Sequence, residues 1–204
     1  MARPRSYDDT TRHELVRAAA ALISKDGPAA LSVRGVAEAV GASTTAIYGL
    51  FGSKSGLVRA MFVAGFESLA ARFEATAATD DPVEDLLGLG LAYRANAVAE
   101  PHLYEVMFGR PFPEFTPDEA DAALALGTLD VLRAAVQRCV DAGVLPDHAE
   151  VEDVTLALWA LTHGLASLEL AGSLGGRGES FWREQLTAHL AGLQAPLRAR
   201  APEP

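Results

Sequence analysis

The sequence contains a single cysteine, Cys139, and this scarcity excludes an internal disulfide and a cysteine-ligated metal cluster. Cys139 lies among apolar residues at helical spacing, so we interpret it as a buried structural thiol rather than a reactive one. No run of about 18 apolar residues occurs, which argues against a membrane-spanning helix. The charged N-terminus is followed by no apolar segment and does not resemble a secretory signal. These absences favour a cytoplasmic location.

Positive charge is also scarce, because 17 lysines and arginines face 27 acids and the net charge is −10. The charge is unevenly distributed: residues 1–60 hold eight basic and five acidic side chains, a net +3, while the remainder carries −13. A basic N-terminal segment can approach phosphates while an acidic remainder keeps the protein soluble. The excess alone is a weak signal. Arg3 and Arg5 suit either a basic arm or a solvated tail.

Strand-like alternation is nearly absent, and leucine and alanine recur at spacings of three and four. The sequence therefore predicts an all-α fold of about nine helices. The first helix is predicted over residues 11–25, with Thr11 and Glu14 in capping-box form. N-caps of four later helices are predicted at polar residues that precede apolar runs, namely Ser32, Ser43, Ser53 and Asp81.

Two short predicted helices are separated by a turn at Gly41, which is the pattern of a helix-turn-helix motif. The second of them is expected to expose compact side chains to a DNA groove, at Thr44, Thr45 and Ala46. We predict a three-helix DNA-binding head over residues 1–55. A larger helical bundle over residues 56–204 is predicted to bind a ligand and to dimerise.

The head resembles the TetR (tetracycline repressor) family of transcriptional regulators. Residues 31–57 read LSVRGVAEAVGASTTAIYGLFGSKSGL, and the shared pattern combines Val36-Ala37, Gly41, Ser43, Ile47-Tyr48-x-x-Phe51, Ser53-Lys54 and Leu57. The resemblance implies a nine-helix protein that forms a homodimer and acts as a repressor released from its operator by a ligand. Gly49 and Leu50 depart from the pattern, since members often carry larger reading side chains there, so readout is expected to depend partly on DNA shape.

The resemblance also implies DNA-contacting residues at the matching positions, namely Ser32, Arg34, Ser43, Thr44, Thr45, Tyr48 and Lys54. Thr44 and Thr45 would read bases, whereas Tyr48 and Lys54 would hold the phosphate backbone on either side. The two serines are first of all helix caps. The alternative interpretation is that Tyr48 and Lys54 only pack against, and solvate, an ordinary three-helix bundle.

The C-terminal body contains the string Trp159-x-x-x-His163-Gly164, which resembles a tryptophan-histidine-glycine (WHG) subtype of the family. His163 is either a satisfied core or interface histidine or a polar anchor in an apolar effector pocket. The aromatic residues and the methionine among the candidates are individually more often core than pocket. The predicted ligand-binding residues are Phe66, Tyr93, Tyr104, Met107, Phe108, Trp159 and His163, with Phe73 and Phe112 as further candidate walls. Gly164 suggests close approach of a helix or ligand.

Nucleophiles, carboxylates and further histidines are not spaced around His163 for catalysis or metal binding, so we expect neither an enzyme nor a cofactor. The expected partners are an operator in double-stranded DNA, a small apolar effector and a second copy of the chain. The family's dimer forms through the last two helices, which here would use leucines: Leu158, Leu161, Leu165, Leu168, Leu186, Leu190 and Leu193. The rival functions are a helical-bundle enzyme or carrier and a non-specific architectural DNA binder.

Overall fold

The computed structural model describes residues 9–113, 115–146 and 150–194. Within this part of the chain the structure is all-helical, as predicted, with nine α helices, a short 3-10 turn at Pro28–Ala30 and no strand. The helices are α1 Asp9–Asp26, α2 Val33–Ala39, α3 Thr44–Phe51, α4 Lys54–Glu74, α5 Pro82–Ala99, α6 Pro101–Phe108, α7 Glu119–Asp141, α8 Val151–Leu170 and α9 Glu179–Gln194. Asp147, the predicted opening of the eighth helix, lies outside the described residues.

The predicted N-caps are confirmed by hydrogen bonds to backbone N–H groups that the first helical turn leaves without a partner. The Ser32 hydroxyl accepts from the Gly35 N–H at 3.0 Å, and that of Ser43 accepts from Ala46 at 3.1 Å. At α4 the Ser53 hydroxyl accepts from Gly56 at 3.0 Å. At α5 the Asp81 carboxylate accepts from Val83 at 2.9 Å. These caps mark where α2, α3, α4 and α5 begin.

Two sequence expectations about the head are wrong. Helix α1 already includes Asp9, the first described residue, so Thr11 lies inside it and does not cap it, because a capping-box spacing also occurs within helices. Ala46 is 1% exposed and faces the head's interior beside Ile47 instead of the solvent. At 100° per residue, positions 46 and 47 of α3 point away from positions 44, 45 and 48, which fixes the outward face.

The described chain divides into two compact units. The first contains the described residues up to Leu69 together with Ala99–Leu126, and the second contains Ala70–Val98 with the described residues from Gly127 onward. The functional boundary between residues 55 and 56 stays a prediction.

Helix α4 packs closely against α6 in the first unit. A Cβ at Gly65 would lie 2.5 Å from the Met107 sulfur, so the absence of a side chain at Gly65 lets the two helices approach. Glycine inside a helix costs about 1 kcal/mol relative to alanine, and this approach accounts for its use.

An ion-pair cluster joins α4 to the start of α7 in the same unit. The Arg59 Nε donates to both carboxylate oxygens of Asp121 at 3.0 and 2.9 Å, and another guanidinium nitrogen lies 3.0 Å from Asp118. These contacts raise the pKa of Arg59, chiefly through the hydrogen bond to Asp121. The Asp121 side chain is 2% exposed, so Arg59 neutralises a buried charge and is not available to DNA.

The second unit has a core built around Trp182, which is fully buried with Leu186 and Leu190. The Trp182 indole donates to Glu169 at 2.6 Å, and Glu169 also accepts from two nitrogens of Arg94 at 2.9 and 2.6 Å. This places a nearly buried ion pair between α5 and α8.

Cys139 is 1% exposed, and burial raises the pKa of its thiol to about 11. Because the thiolate is the reactive form, this confirms the interpretation of a structural thiol.

Candidate nucleic-acid interface and effector cavity

The outward face of α3 consists of the residues predicted to read DNA. Thr44, Thr45, Tyr48 and Gly49 are exposed, whereas Ala46 and Ile47 hold the opposite face in the head. Tyr48 is 54% exposed, although large aromatic side chains usually bury most of their surface. The arrangement leaves two hydroxyls at the helix N-terminus and a phenol one turn further on, all available to a groove and its phosphates.

Gly41 makes the turn that brings α3 across α2. Its φ of +66° lies in the left-handed region that favours glycine, and the Ala42 N–H returns to the Ala37 carbonyl at 2.8 Å. Val36 and Ala37 of α2 are buried against the rest of the head. The structure therefore brings the predicted helix-turn-helix motif together as the sequence suggested.

Lys54 is exposed at the first position of α4, where the helix dipole and free N–H groups favour an anion. Its Nζ lies 5.9 Å from the centroid of the Phe112 ring, within the range of a cation–π contact. The loop between α6 and α7 thus supports the predicted phosphate-binding lysine. Lys54 and Phe112 are 58 residues apart, so no local sequence pattern predicts this contact.

Arg34 lies exposed near the start of α2 and its Nε donates to Glu38 at 2.8 Å. The hydrogen bond to Glu38, and then its charge, raise the pKa of Arg34. An exposed pair of this kind is weak and readily exchanged for a phosphate. Ser32 and Ser43 use their hydroxyl lone pairs for the helix caps. The DNA role of all three residues stays a prediction.

The predicted effector residues fall into two groups, one in each unit. In the first unit, rings form a continuous row along α4 and α6: Tyr104 lies 4.9 Å from Phe108, Phe108 lies 5.7 Å from Phe66, and Phe66 lies 4.9 Å from Phe62. Met107 packs beside this row at Gly65. Such a row suits either a hydrophobic core or the wall of an apolar pocket.

A cavity of about 160 Å³ adjoins this row in the first unit. Its wall comprises residues of α4, α6 and the loop between α6 and α7: Val58, Phe62, Val106, Met107, Arg110, Pro111, Phe112, Phe115 and Pro117. Met107 is the one predicted ligand-binding residue among them, and Phe112 was a further candidate wall. The sequence did not indicate Arg110.

In the second unit, Tyr93 and His163 are joined by a hydrogen bond of 3.2 Å between the phenol oxygen and Nδ1. The Trp159 ring lies 6.0 Å from the His163 ring, and Trp159 is 38% exposed. Burial lowers the pKa of His163, which favours the neutral imidazole. His163 therefore already has a polar partner within the protomer. That the seven residues line a single pocket stays a prediction.

The lowered pKa of His163 has a consequence for stability. The unfolded chain binds a proton at this histidine at higher pH than the folded chain does. The free energy of unfolding therefore falls as the pH drops below the histidine pKa of the unfolded chain, about 6.5. We expect His163→Gln to lose less stability than the native chain between pH 7.5 and pH 5.5 in urea denaturation. His13→Gln, at an exposed position of α1, is the control. If the native protein and His163→Gln lost the same free energy of unfolding over this pH range, the lowered pKa of His163 would be contradicted.

No helix in the described ranges is long and apolar enough to cross a membrane. The same residues contain no group of three or more His, Cys, Asp or Glu side chains placed to hold a metal ion.

An all-helical fold and a capped helix-turn-helix with exposed hydroxyl side chains on its second helix are typical of a DNA-binding regulator. Residues 15–61 match the family described as bacterial regulatory proteins, tetR family, and residues 86–191 match the tetracyclin repressor-like C-terminal domain. The chain belongs to the TetR family of transcriptional regulators, which bind DNA, so the family resemblance of the head is confirmed.

Solved structures share this fold over nearly the whole chain. The protein SCO4313 is 28% identical with a TM-score of 0.72, covering 94% of this chain and 100% of its own. The TetR family regulator PfmR from Thermus thermophilus is 23% identical with a TM-score of 0.66, covering 90% and 98%. The fatty acid degradation regulator FadR from Bacillus halodurans is 14% identical with a TM-score of 0.75, covering 95% and 99%. No curated protein sequence matches the chain.

Proposed function

We propose that this chain is a cytoplasmic, homodimeric repressor that binds a specific operator and leaves it when a small, mostly apolar effector binds. The observation that carries the proposal is the exposed face of α3, where Thr44, Thr45 and Tyr48 stand together with Lys54 at the start of α4. That placement supports base reading by the two threonines and phosphate binding by Tyr48 and Lys54. The Trp159–His163–Gly164 string supports assignment of the body to the WHG subtype.

The test of this function is capture of genomic DNA fragments by the purified protein, followed by sequencing and equilibrium binding. We expect a small set of enriched sequences with near-palindromic halves, bound at least about 10³-fold more tightly than random DNA at physiological salt. Equal affinity for enriched and random fragments would instead identify an architectural DNA binder. Failure to bind any fragment at low salt, in a folded dimeric sample, would refute DNA binding.

The proposed dimer uses α8 and α9, but not through most of the leucines expected from sequence. Leu158, Leu165, Leu186 and Leu190 are buried inside the protomer, so they offer little surface to a partner. The exposed face carries small residues on both helices, with larger apolar side chains on α8: Leu156, Trp159, Ala160, Ser167, Leu168, Ala188, Ala191 and Gly192. Small residues allow two helices to approach closely across a two-fold axis.

Gly164 provides a sharp test of this dimer. A Cβ at Gly164 would meet nothing within 4 Å in the protomer, so no contact within the chain explains a glycine in mid-helix. We expect Gly164→Arg to yield folded monomers by sedimentation equilibrium, because the arginine would project into the partner. Gly127→Arg on α7 is the matched control, since a Cβ there also meets open space, and should remain dimeric. A dimeric Gly164→Arg would refute this interface.

A further inference from the structure

The cavity in the first unit combines an apolar interior with one charge at its edge. Of its nine described lining residues, Arg110 alone is charged, and Arg110 is exposed while Met107 and Phe112 are buried. A cavity of this chemistry suits a ligand with an apolar body and an anionic end, because guanidinium groups pair with carboxylates through two hydrogen bonds.

The backbone at Arg110 is held in an unfavourable conformation. Its φ is +48°, and among the described residues no other non-glycine has a positive φ. Left-handed conformations cost a residue with a Cβ free energy, and they persist where the surroundings or a function require them. Here the turn follows directly on α6 and places Arg110 in the cavity wall.

The size of the cavity limits the ligand. A cavity of about 150 Å³ with apolar walls accommodates one benzene ring, and this cavity has a volume of about 160 Å³. A single ring or a short aliphatic chain therefore matches this volume.

The cavity is also connected to the predicted phosphate-binding lysine through one side chain, Phe112. The Phe112 ring that forms part of the cavity wall is the ring that lies under the Lys54 ammonium. Val58 and Phe62, one and two turns along α4 from Lys54, line the same cavity. A ligand that displaces Phe112 would therefore change the support of the lysine predicted to bind phosphate.

We propose that this cavity binds a compact apolar carboxylate, with the carboxylate on Arg110 and the body against Met107 and Phe112, and that occupancy weakens the DNA contact of Lys54. The second half of this proposal rests on the proposed function, whereas the binding site itself does not.

Benzoate and benzamide test the site, because they have the same shape and differ in charge. We expect saturable calorimetric binding of benzoate to the native protein, at least about 10-fold tighter than benzamide, because only benzoate offers a charged partner to a guanidinium. Arg110→Gln should remove that preference, whereas Arg177→Gln, a surface arginine packed over Phe181, should keep it. Equal affinities for the two probes, no saturable benzoate binding, or an unchanged preference in Arg110→Gln would each overturn the proposed site.

Phe112→Leu separates the site from its coupling to DNA. We expect saturating benzoate to weaken native binding to captured genomic fragments several-fold. The leucine variant should bind benzoate more weakly, because Phe112 forms part of the site, and should bind DNA with about the affinity of the benzoate-bound native protein. At a benzoate concentration that saturates the variant, its DNA affinity should fall no further, because no ring then supports Lys54. Benzoate binding without any change in DNA affinity, or an unaltered response in Phe112→Leu, would refute the coupling. A native protein that binds benzoate but no DNA would refute the proposed function and leave the site standing.

Discussion

Combining Tyr48→Phe with Lys54→Ala is expected to weaken binding to the captured DNA fragments by at least about 100-fold at physiological salt. A hydrogen bond to a charged group contributes about 1.5–3 kcal/mol and a neutral one about 0.5–1.5 kcal/mol. A dimer would lose both contacts in each of its two heads. The phenol of Tyr48 and the ammonium of Lys54 are exposed in the protomer, so removing them leaves the core of the head intact.

The salt dependence should report the lost phosphate contact separately from any loss of fold. Each lysine that neutralises a phosphate contributes about 0.9 to the slope of log K against log salt concentration, so Lys54→Ala should reduce the slope by about 2 per dimer. Tyr48→Phe alone should weaken binding and leave the slope unchanged. The measurement is fluorescence anisotropy across a salt series, with circular dichroism to check folding.

Lys25→Ala is the matched control for this prediction. It removes the same charge from an exposed lysine in the last turn of α1, for which no DNA contact is predicted. If Lys25→Ala and Lys54→Ala reduced affinity and salt slope equally, the effect would be one of net charge, and the proposed phosphate contact would have to be abandoned.

Local sequence signals were sufficient for the helices and for their N-caps. Ser32, Ser43 and Ser53 cap helices where the sequence placed them, because an N-cap needs only a hydroxyl and a free N–H three residues on. Gly41 adopts the positive φ that a tight turn requires. Periodicity likewise predicted about nine helices. It could not show that Thr11 lies inside α1 instead of capping it.

Contacts between distant segments were beyond these signals. Arg59 was counted with the basic N-terminal segment, residues 1–60, yet it pairs with Asp121, 62 residues away. Lys54 was predicted to bind a DNA phosphate, and no local sequence pattern indicated the Phe112 ring beside it. The leucines of α8 and α9 were all expected at a dimer interface, but Leu158, Leu165, Leu186 and Leu190 are buried in the protomer, whereas Leu168 is exposed. A hydrophobic stripe predicts burial, and the protomer's own core and a partner subunit satisfy that prediction equally well.

Glu169→Gln is expected to destabilise the protein by about 3 kcal/mol, because it leaves a nearly buried guanidinium without its counter-charge. The Arg94 and Glu169 side chains are only 18% and 17% exposed. Glu169 accepts from two Arg94 nitrogens and from the Trp182 indole, so these neighbours of its carboxylate are all donors. A glutamine NH₂ would face one of these donors and lose a hydrogen bond as well as the charge.

Glu152→Gln is the control, because Glu152 also pairs with an arginine of a neighbouring helix but is more exposed. Arg133 donates to Glu152 at 2.8 Å, with the two side chains 36% and 55% exposed. Water screens and replaces such a pair, so its loss should leave the urea midpoint nearly unchanged. Because both substitutions remove one carboxylate charge from α8, a net-charge effect would shift both midpoints equally. The buried pair predicts a large shift for Glu169→Gln alone, and matching midpoints would show that Arg94 finds water or another acceptor.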